Sequence, residues 1–573
     1  MSQIVAHIPN TSPFVRADQD SLADTILALD QVSILSPTRR RDLKSALRSL
    51  ARLIGQPVDL IPANINWLHI RIRRLHPAQA GISKKRFQNV KSDALKALEV
   101  VGASRERKDW LKPPSAAWQT LLDRIPKRHD RWKLTQLAQY CTALDIKPCD
   151  INDAHVLGLR TALIEESFQN NPEAIAANAV KTWNRLAAMI DGWPQVALAP
   201  PPRKKEPWTF PLTAFPATFQ EDVDRWTMRL SNPDLLDGDG PAKPLRPKTI
   251  SHRQFQIREV ASALVHAGFP QAHIVNLAVL VDLKNVKMAL RWLMARFGGK
   301  PTEAIKGVAV CLLAIARHHV KIPHGDLDQI RGIVARLGRD VDGLREKNRQ
   351  RLLQLEDPSN MAKLLTLPGA LVAKAEPLLN VGTPHSARKG ALLMQAALAV
   401  EILLNAPMRI GNLCTLDLSR HMRRLRVGRE PRTHIHIPSE EVKNAKALDF
   451  ELGTEATALL DLYVARARPF LMVHATTALF PATDGSAKRS DALSRLIKGT
   501  ICDHTGLVIH PHLFRSIAGK IHSLVQPGDV ATLAHVLNDT MATALRSYAQ
   551  FERRSALTHY QASLAQVRLG QAS

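Results

Sequence analysis

Through roughly its first 350 residues the chain repeats one pattern: a few basic residues, an apolar stripe at helical spacing, and a short break before the next stripe. That periodicity confines the fold to a mainly α architecture. SPTRRRDLKSALRSLARLIG (36–55) puts Leu43, Leu47, Leu50 and Ile54 on one face and lines the other with Arg and Lys. Related units appear at RHDRWKLTQLAQYCTALDI (128–146) and SHRQFQIREVASALVHAGF (251–269). They read as a weak threefold repeat of a small helical module, against the plainer alternative that all amphipathic helices look alike. The most apolar run, 391–408, is interrupted by Gln395, Glu401, Asn405 and Pro407, which suits a buried core helix better than a membrane span.

Breaks in the pattern mark the organisation. APPPRKKEPW (199–208) is proline-rich and basic and is expected to be extended. PDLLDGDGPAKPLRPKT (233–249) is a loop leading into the third helical unit, and the chain changes character again near 346–369. Only beyond that point does a convincing strand signal appear. THIHIP (433–438) and ALDFEL (447–452) both alternate, the second placing Leu448, Phe450 and Leu452 on one face, so the pair reads as a hairpin.

Charge narrows the partner. With 78 Lys+Arg against 52 Asp+Glu, the formal net charge is +26, an excess that favours a polyanion because each cation near a phosphate releases condensed counterions. RNA, ribosomes and acidic membranes satisfy that condition as well as DNA does. Cys141, Cys149, Cys311, Cys414 and Cys502 are scattered, odd in number and without a C-x-x-C pair, which argues against a disulfide framework and a structural zinc site. MSQIVAHIPN lacks the basic and apolar segments of a secretory signal, so the expectation is a reduced, cytoplasmic, nucleoid-associated protein without a membrane role.

Four segments of the last third carry chemistry. In LLNAPMRIGNLCTLDL (403–418), Pro407 ends one helix and Ile410, Leu413 and Leu416 give the next an apolar face, so Arg409 sits in an opening turn whose free N–H groups favour an anion. Lys443 lies in the turn of the hairpin, where an ammonium can reach a groove of DNA. HLFR (512–515), introduced by Pro511, sets His512 and Arg515 on one helix face while Leu513, Ile517, Ile521 and Leu524 point to a core. In LNDTMATALRSYAQF (537–551), Met541, Ala544, Leu545 and Tyr548 follow helical spacing. Each segment alone has an ordinary reading: a chance arginine, a solvated turn lysine, a common H-x-x-R, a core tyrosine.

Their order removes that ordinariness. Arg, a hairpin Lys, H-x-x-R and then a Tyr near the C-terminus resembles the tyrosine recombinase (phage integrase) family over roughly 350–560, and APMRIGNL and HLFR are especially similar to integrases of bacterial mobile elements. The resemblance implies active-site roles for Arg409, Lys443, His512, Arg515 and Tyr548. It also implies a helical core-binding, SAM-like domain (215–345) and a mixed α/β catalytic domain with a small antiparallel sheet and a C-terminal tail (350–573); residues 1–200 lie outside it and read from their periodicity as a helical N-terminal region with room for two small DNA- or partner-binding modules. One position departs from the family. Where Leu-Gly-His, or Trp for His, usually stands nine residues before the tyrosine, this chain has Leu537-Asn538-Asp539. A carboxylate beside a phosphate is unfavourable unless protonated or paired with an arginine. His535, one helical turn earlier, is the substitute imidazole.

The resemblance further implies DNA breakage and rejoining through a 3′-phosphotyrosine. Arg409 and Arg515 would hold the phosphoryl oxygens, Lys443 would act as general acid, and His512 would exchange a proton with Tyr548, with no cofactor and no metal. Double-stranded DNA is the expected partner. Self-assembly on it, as a tetramer, is expected too, with other recombinases as further candidate partners. Arg203, Lys204 and Lys205 of the basic linker are candidate DNA contacts. Two other readings compete: an accessory DNA-binding protein of the same fold with weak or no catalysis, which Asp539 favours, and a helical RNA-binding or scaffolding protein, which leaves the ordered constellation as coincidence.

Overall fold

The computed structural model describes residues 19–201, 207–233, 240–241, 243–338, 346–526 and 529–570, apart from the side chains of 546–556, 558–559, 562 and 570. It divides into two compact units, Met1–Pro201 together with Gly343–Ser573, and Pro202–Asp342.

Each of the three amphipathic units forms a helix that serves a core of its own. Helix α1 (Pro37–Ile54) starts where the Ser36 side chain accepts from the Arg39 N–H and Pro37 occupies the first turn, and it stops at Gly55, whose φ of +79° closes the last turn. Its stripe of Leu43, Leu47 and Leu50 is fully buried with Leu22, Ile61 and Leu68. Helix α2 (Arg128–Ala143) contributes Leu134 and Leu137 to a tryptophan-rich core with Trp118, Trp183 and Trp193. Two of those indoles are satisfied, Trp118 donating to the Ile146 carbonyl and Trp183 to that of Val196. In the second unit, helix α3 (Pro247–His266) packs Ile257, Val260 and Leu264 with Phe219, Trp226, Leu290 and Leu312. A fully buried Leu or Val contributes about 1.5–3 kcal/mol of transfer free energy, so each core holds its own helices together.

Helices α4 (Leu367–Asn380) and α5 (Pro384–Asn405) form the backbone of the C-terminal region. The apolar run is the core helix expected of it: Met394, Leu398, Ile402 and Leu403 are buried. Gln395, also fully buried, is satisfied by donating to the Tyr463 hydroxyl. Gly390 lets α5 approach α4 closely, since a Cβ there would lie 2.8 Å from the Ala375 carbonyl oxygen. Then come the short helix α6 (Ile410–Cys414), the sheet, and helices α7 (Ser490–Thr505), α8 (Leu513–Val525), α9 (Val530–Leu537) and α10 (Met541–Gly570).

The hairpin forms as expected, from β2 (Glu430–Ile437) and β3 (Leu448–Leu452), antiparallel with Ile435 opposite Phe450 and Ile437 opposite Leu448. A further strand, β1 (Met422–Val427), pairs with β2 to complete the order β1-β2-β3. Ile435, Ile437 and Leu452 face the core, while His434 and His436 on the other face share the Asp449 carboxylate. The fold is thus mainly helical with one small antiparallel sheet. One expectation about α8 fails: Leu513 and Ile517 are buried, but Leu524 is 62% exposed, because the last turn of the helix runs past the core.

The N-terminal helical region meets the C-terminal region within the first unit. Asp503 near the end of α7 pairs with Lys84 at 2.7 Å and with His76 at 3.2 Å. Beside them Gly506, at φ +78°, lies so close to the backbone of Ala78 and Gln79 that a Cβ would stand 2.7 Å from the Gln79 nitrogen.

Candidate active site

Helix α5 stops short of Pro407, which lacks an N–H and leaves its own carbonyl outside any helix. Arg409 follows as the N-cap of α6, extended at φ −71° and ψ 144°, so its side chain leaves the chain where the first turn presents free N–H groups. The freed Pro407 carbonyl accepts from Nη1 of Arg515 at 3.1 Å. Arg515 stands in the first turn of α8, just after the N-cap His512, and its side chain is only 5% exposed. The breaker between α5 and α6 therefore helps to aim an arginine of α8.

Asp539 completes the arrangement. Helix α9 ends at Leu537, and Asn538 turns left-handed at φ 47°, ψ 49°, a conformation Asn tolerates better than most residues. The Asn538 N–H donates to the His535 carbonyl and that of Asp539 to the Ala534 carbonyl, which fixes where the Asp539 side chain points. One carboxylate oxygen lies 3.3 Å from Nη2 of Arg409, the other 2.5 Å from Nη2 of Arg515. A single carboxylate thus spans both guanidinium groups. His535 is exposed on α9 and takes no part in this bridge.

Lys443 is exposed in the turn between β2 and β3, and that turn is fastened to the Asp539 loop. Asn444 donates its side-chain amide to the Asn538 carbonyl at 3.1 Å, and Asn538 donates its own to the carbonyls of Lys446 and Ala447 at 3.3 and 3.0 Å. His512 is open to solvent on one side. Desolvation on its packed side, then the guanidiniums of Arg515 and Arg409, hold its pKa below the ordinary imidazole value; Asp539 opposes them and Lys443 adds to the lowering. Arg409, Lys443, the His512–Arg515 pair and Asp539, which come from separate stretches of the sequence, are thereby neighbours. Next to His512, burial and nearby cations push His510 down to about 4; its Nε2 lies 3.3 Å from Oδ1 of Asn348.

The tyrosines divide sharply. Tyr463 is fully buried, hydrogen-bonded to Gln395 and to the Leu479 carbonyl, and its pKa is pushed well up by burial. Tyr140 belongs to α2 in the N-terminal region, and Tyr560 is 64% exposed on α10. Tyr548 lies in α10, whose start is anchored by the fully buried Ala544 against Leu533 and Leu537; the Tyr548 side chain lies outside the described residues. Arg203, Lys204 and Lys205 lie outside them too. Among the described residues no group of three or more His, Cys, Asp or Glu side chains is placed to hold a metal ion, and no helix is long and apolar enough to cross a membrane.

Sequence reasoning missed Asn538 and His510. An Asn directly after an apolar helical stretch is a left-handed cap signal, which could have located the turn although not its bonds to the hairpin.

Among solved structures, the chain overlaps a lambda integrase (75-356) dimer bound to a COC' core site at 15% identity and a TM-score of 0.33, covering 58% of this chain and 95% of that one. It overlaps XerH site-specific recombinase bound to difH substrate, in a pre-cleavage complex, at 15% identity and a TM-score of 0.34, covering 56% and 80%. No curated protein matches the chain significantly. Residues 382–553 match the phage integrase family, a span that contains Arg409, Lys443, the H-x-x-R pair, Asp539 and Tyr548. Residues 382–553, the stretch that holds the candidate site, thus carry a phage integrase family domain.

Proposed function

We propose that the protein is a site-specific recombinase that cleaves and rejoins duplex DNA through a 3′-phosphotyrosine at Tyr548. The observation that carries this reading is the convergence of Arg409, Lys443, and the His512–Arg515 pair from three separate elements around the Asp539 carboxylate. The phenolic oxygen of Tyr548 attacks phosphorus, a P–O bond to Tyr548 forms, and the bond to the 5′ oxygen breaks. His512 takes the phenolic proton and Lys443 gives one to the departing 5′ oxygen. A phenol has a pKa of about 10, so it needs that proton acceptor near neutrality. Arg409 and Arg515 stabilise the negative charge that gathers on the non-bridging oxygens. Attack by a free 5′ hydroxyl on the phosphotyrosine reverses the step, so the bond energy is conserved without an external energy source.

Duplex DNA is the polyanion this chemistry requires, and the net charge of +26 is compatible with it. Arg203, Lys204 and Lys205 of the linker add phosphate contacts in this reading. Assembly on paired sites uses the C-terminal part of α10, where Leu557, Tyr560 and Val567 are 56%, 64% and 56% exposed and Leu564 is half-buried. Exposed apolar residues at helical spacing favour a protein contact over a purely solvated tail. A second reading, a DNA-binding protein of this fold that does not cleave, is favoured by one observation: Asp539 already engages both arginines. The test is incubation with a duplex nicked close to the cleavage site, which lets the short fragment bearing the released 5′ hydroxyl diffuse away. A recombinase accumulates a denaturation-resistant protein–DNA adduct; an accessory protein binds the duplex and yields none.

A further inference from the structure

Arg515 is nearly sealed. Its side chain is 5% exposed, Nη1 is spent on the Pro407 carbonyl, and Nη2 is capped by Asp539 at 2.5 Å. A group arriving from solvent must therefore compete with this cap for the Nη2 end of the guanidinium. The cap is itself only 11% exposed, and its second oxygen is turned to Arg409. Two oxygens sharing one negative charge, each facing a guanidinium, are also what a phosphodiester presents through its non-bridging oxygens. The carboxylate and a phosphate are therefore rivals for the same N–H groups. Both together would set two anions side by side, which costs free energy.

We propose that Asp539 is an internal stand-in for the phosphate, a gate that holds the two-arginine subsite closed until a phosphodiester displaces it; the identity of the displacing group rests on the recombinase reading above. The residues flanking Asp539 give the exchange a consequence. Asn538 is bonded to the Lys446 and Ala447 carbonyls and accepts from Asn444, so the loop that yields Asp539 is the loop that fixes the turn bearing Lys443. The same loop leads directly into α10 and Tyr548. Phosphate entry therefore acts on the general acid and on the nucleophile helix through one short segment. A bystander anion must outcompete a tethered carboxylate to enter, whereas DNA brings further phosphate contacts along with the scissile one.

Asp539 also stabilises the unliganded protein, because without it Arg515 is a buried, unpaired charge. This gives the test a readout that general damage does not imitate. Thermal unfolding of the full chain is followed in inorganic phosphate and in chloride at matched ionic strength, for wild type, Asp539→Asn, Asp539→Glu and the double variant Arg409→Ala with Asp539→Asn. Asp539→Asn is expected to melt lower in chloride. Phosphate is expected to raise its Tm more than that of wild type, with an affinity for phosphate at least about tenfold higher. Asp539→Glu, which keeps the carboxylate, is expected to stay near wild type, and the double variant to lose the phosphate gain. An affinity of Asp539→Asn equal to or below wild type overturns the gate, since Asp539 then only orients the arginines. Adduct trapping on nicked duplex separates the two claims. Adduct in wild type without the phosphate gain in Asp539→Asn sinks the gate alone. The phosphate gain with no adduct from any variant sinks the recombinase reading and leaves the gate standing.

Discussion

Asn538 donates its side-chain amide to the Ala447 carbonyl at 3.0 Å, which ties the loop ahead of the Tyr548 helix to the turn that carries Lys443. The tie also involves the Lys446 carbonyl and Asn444, and it depends on the left-handed backbone of Asn538. Asn538→Gly keeps that backbone conformation accessible while deleting the amide. Net hydrogen-bond contributions of about 1 kcal/mol each set the scale of the expected loss in stability, about 1–2 kcal/mol. Adduct formation is expected to fall several-fold while duplex affinity, measured by anisotropy, stays near wild type. Unchanged adduct kinetics would show that the tie does not position Lys443.

A pH dependence follows from His512. In the proposed step it accepts the phenolic proton, which it does only as neutral imidazole. Its lowered pKa keeps it neutral below the ordinary imidazole value of about 6.5, so the acid limb of adduct formation is expected below that pH. Asp539 raises the His512 pKa, so Asp539→Asn is expected to move the limb further down. A rate–pH profile on nicked duplex measures both; an acid limb above about 6.5, or an upward move in the variant, contradicts the assignment.

How much of this could be read from residues alone differs from element to element. His512 and Arg515 were legible as a pair because three residues is nearly one helical turn, and β2 with β3 because one face is buried and the other polar. Strand β1 was not. Arg423, Arg424 and Arg426 put charge on both faces of an exposed edge, where no alternation survives, and such charge discourages pairing with another chain. Asp539 was legible as a departure from a family pattern, and its pairing with an arginine as a requirement of charge. That it bridges two arginines depends on the left-handed turn at Asn538 and on the Pro407 carbonyl, neither of which leaves a periodic trace. The contact of Gly506 with Ala78 and Gln79 joins segments more than 400 residues apart in the chain and had no local signal.

That contact makes opposite predictions for two glycines close together in sequence. Gly499 lies on the exposed face of α7, where an added Cβ would meet nothing within 4 Å, so Gly499→Ala is expected to stabilise by up to about 1 kcal/mol. Gly506→Ala is expected to destabilise by about 1–3 kcal/mol, because its φ of +78° suits glycine and its Cβ would meet backbone atoms that cannot swing aside. Protease cleavage within 76–84 is expected to accelerate in the second variant only. Equal Tm and cleavage in the two variants would show that the N-terminal region does not depend on this packing against α7.

The tail of α10 supplies a prediction about assembly. Truncation after Ala549 removes Leu557, Tyr560, Leu564 and Val567 and leaves the Tyr548 turn. Binding to a single site is expected to survive, and the paired complex to disappear in mass photometry. A truncated protein that still pairs sites at wild-type concentration rules out the tail as the assembly element.

The central claim is that Tyr548 becomes covalently joined to DNA. Mass spectrometry of the adduct trapped on a nicked duplex, after nuclease and protease digestion, locates the modified residue. A nucleotide is expected on the peptide containing Tyr548, and no adduct from Tyr548→Phe, which is expected to bind duplex nearly as well as wild type. An adduct that persists in Tyr548→Phe and is lost in Tyr560→Phe would contradict it.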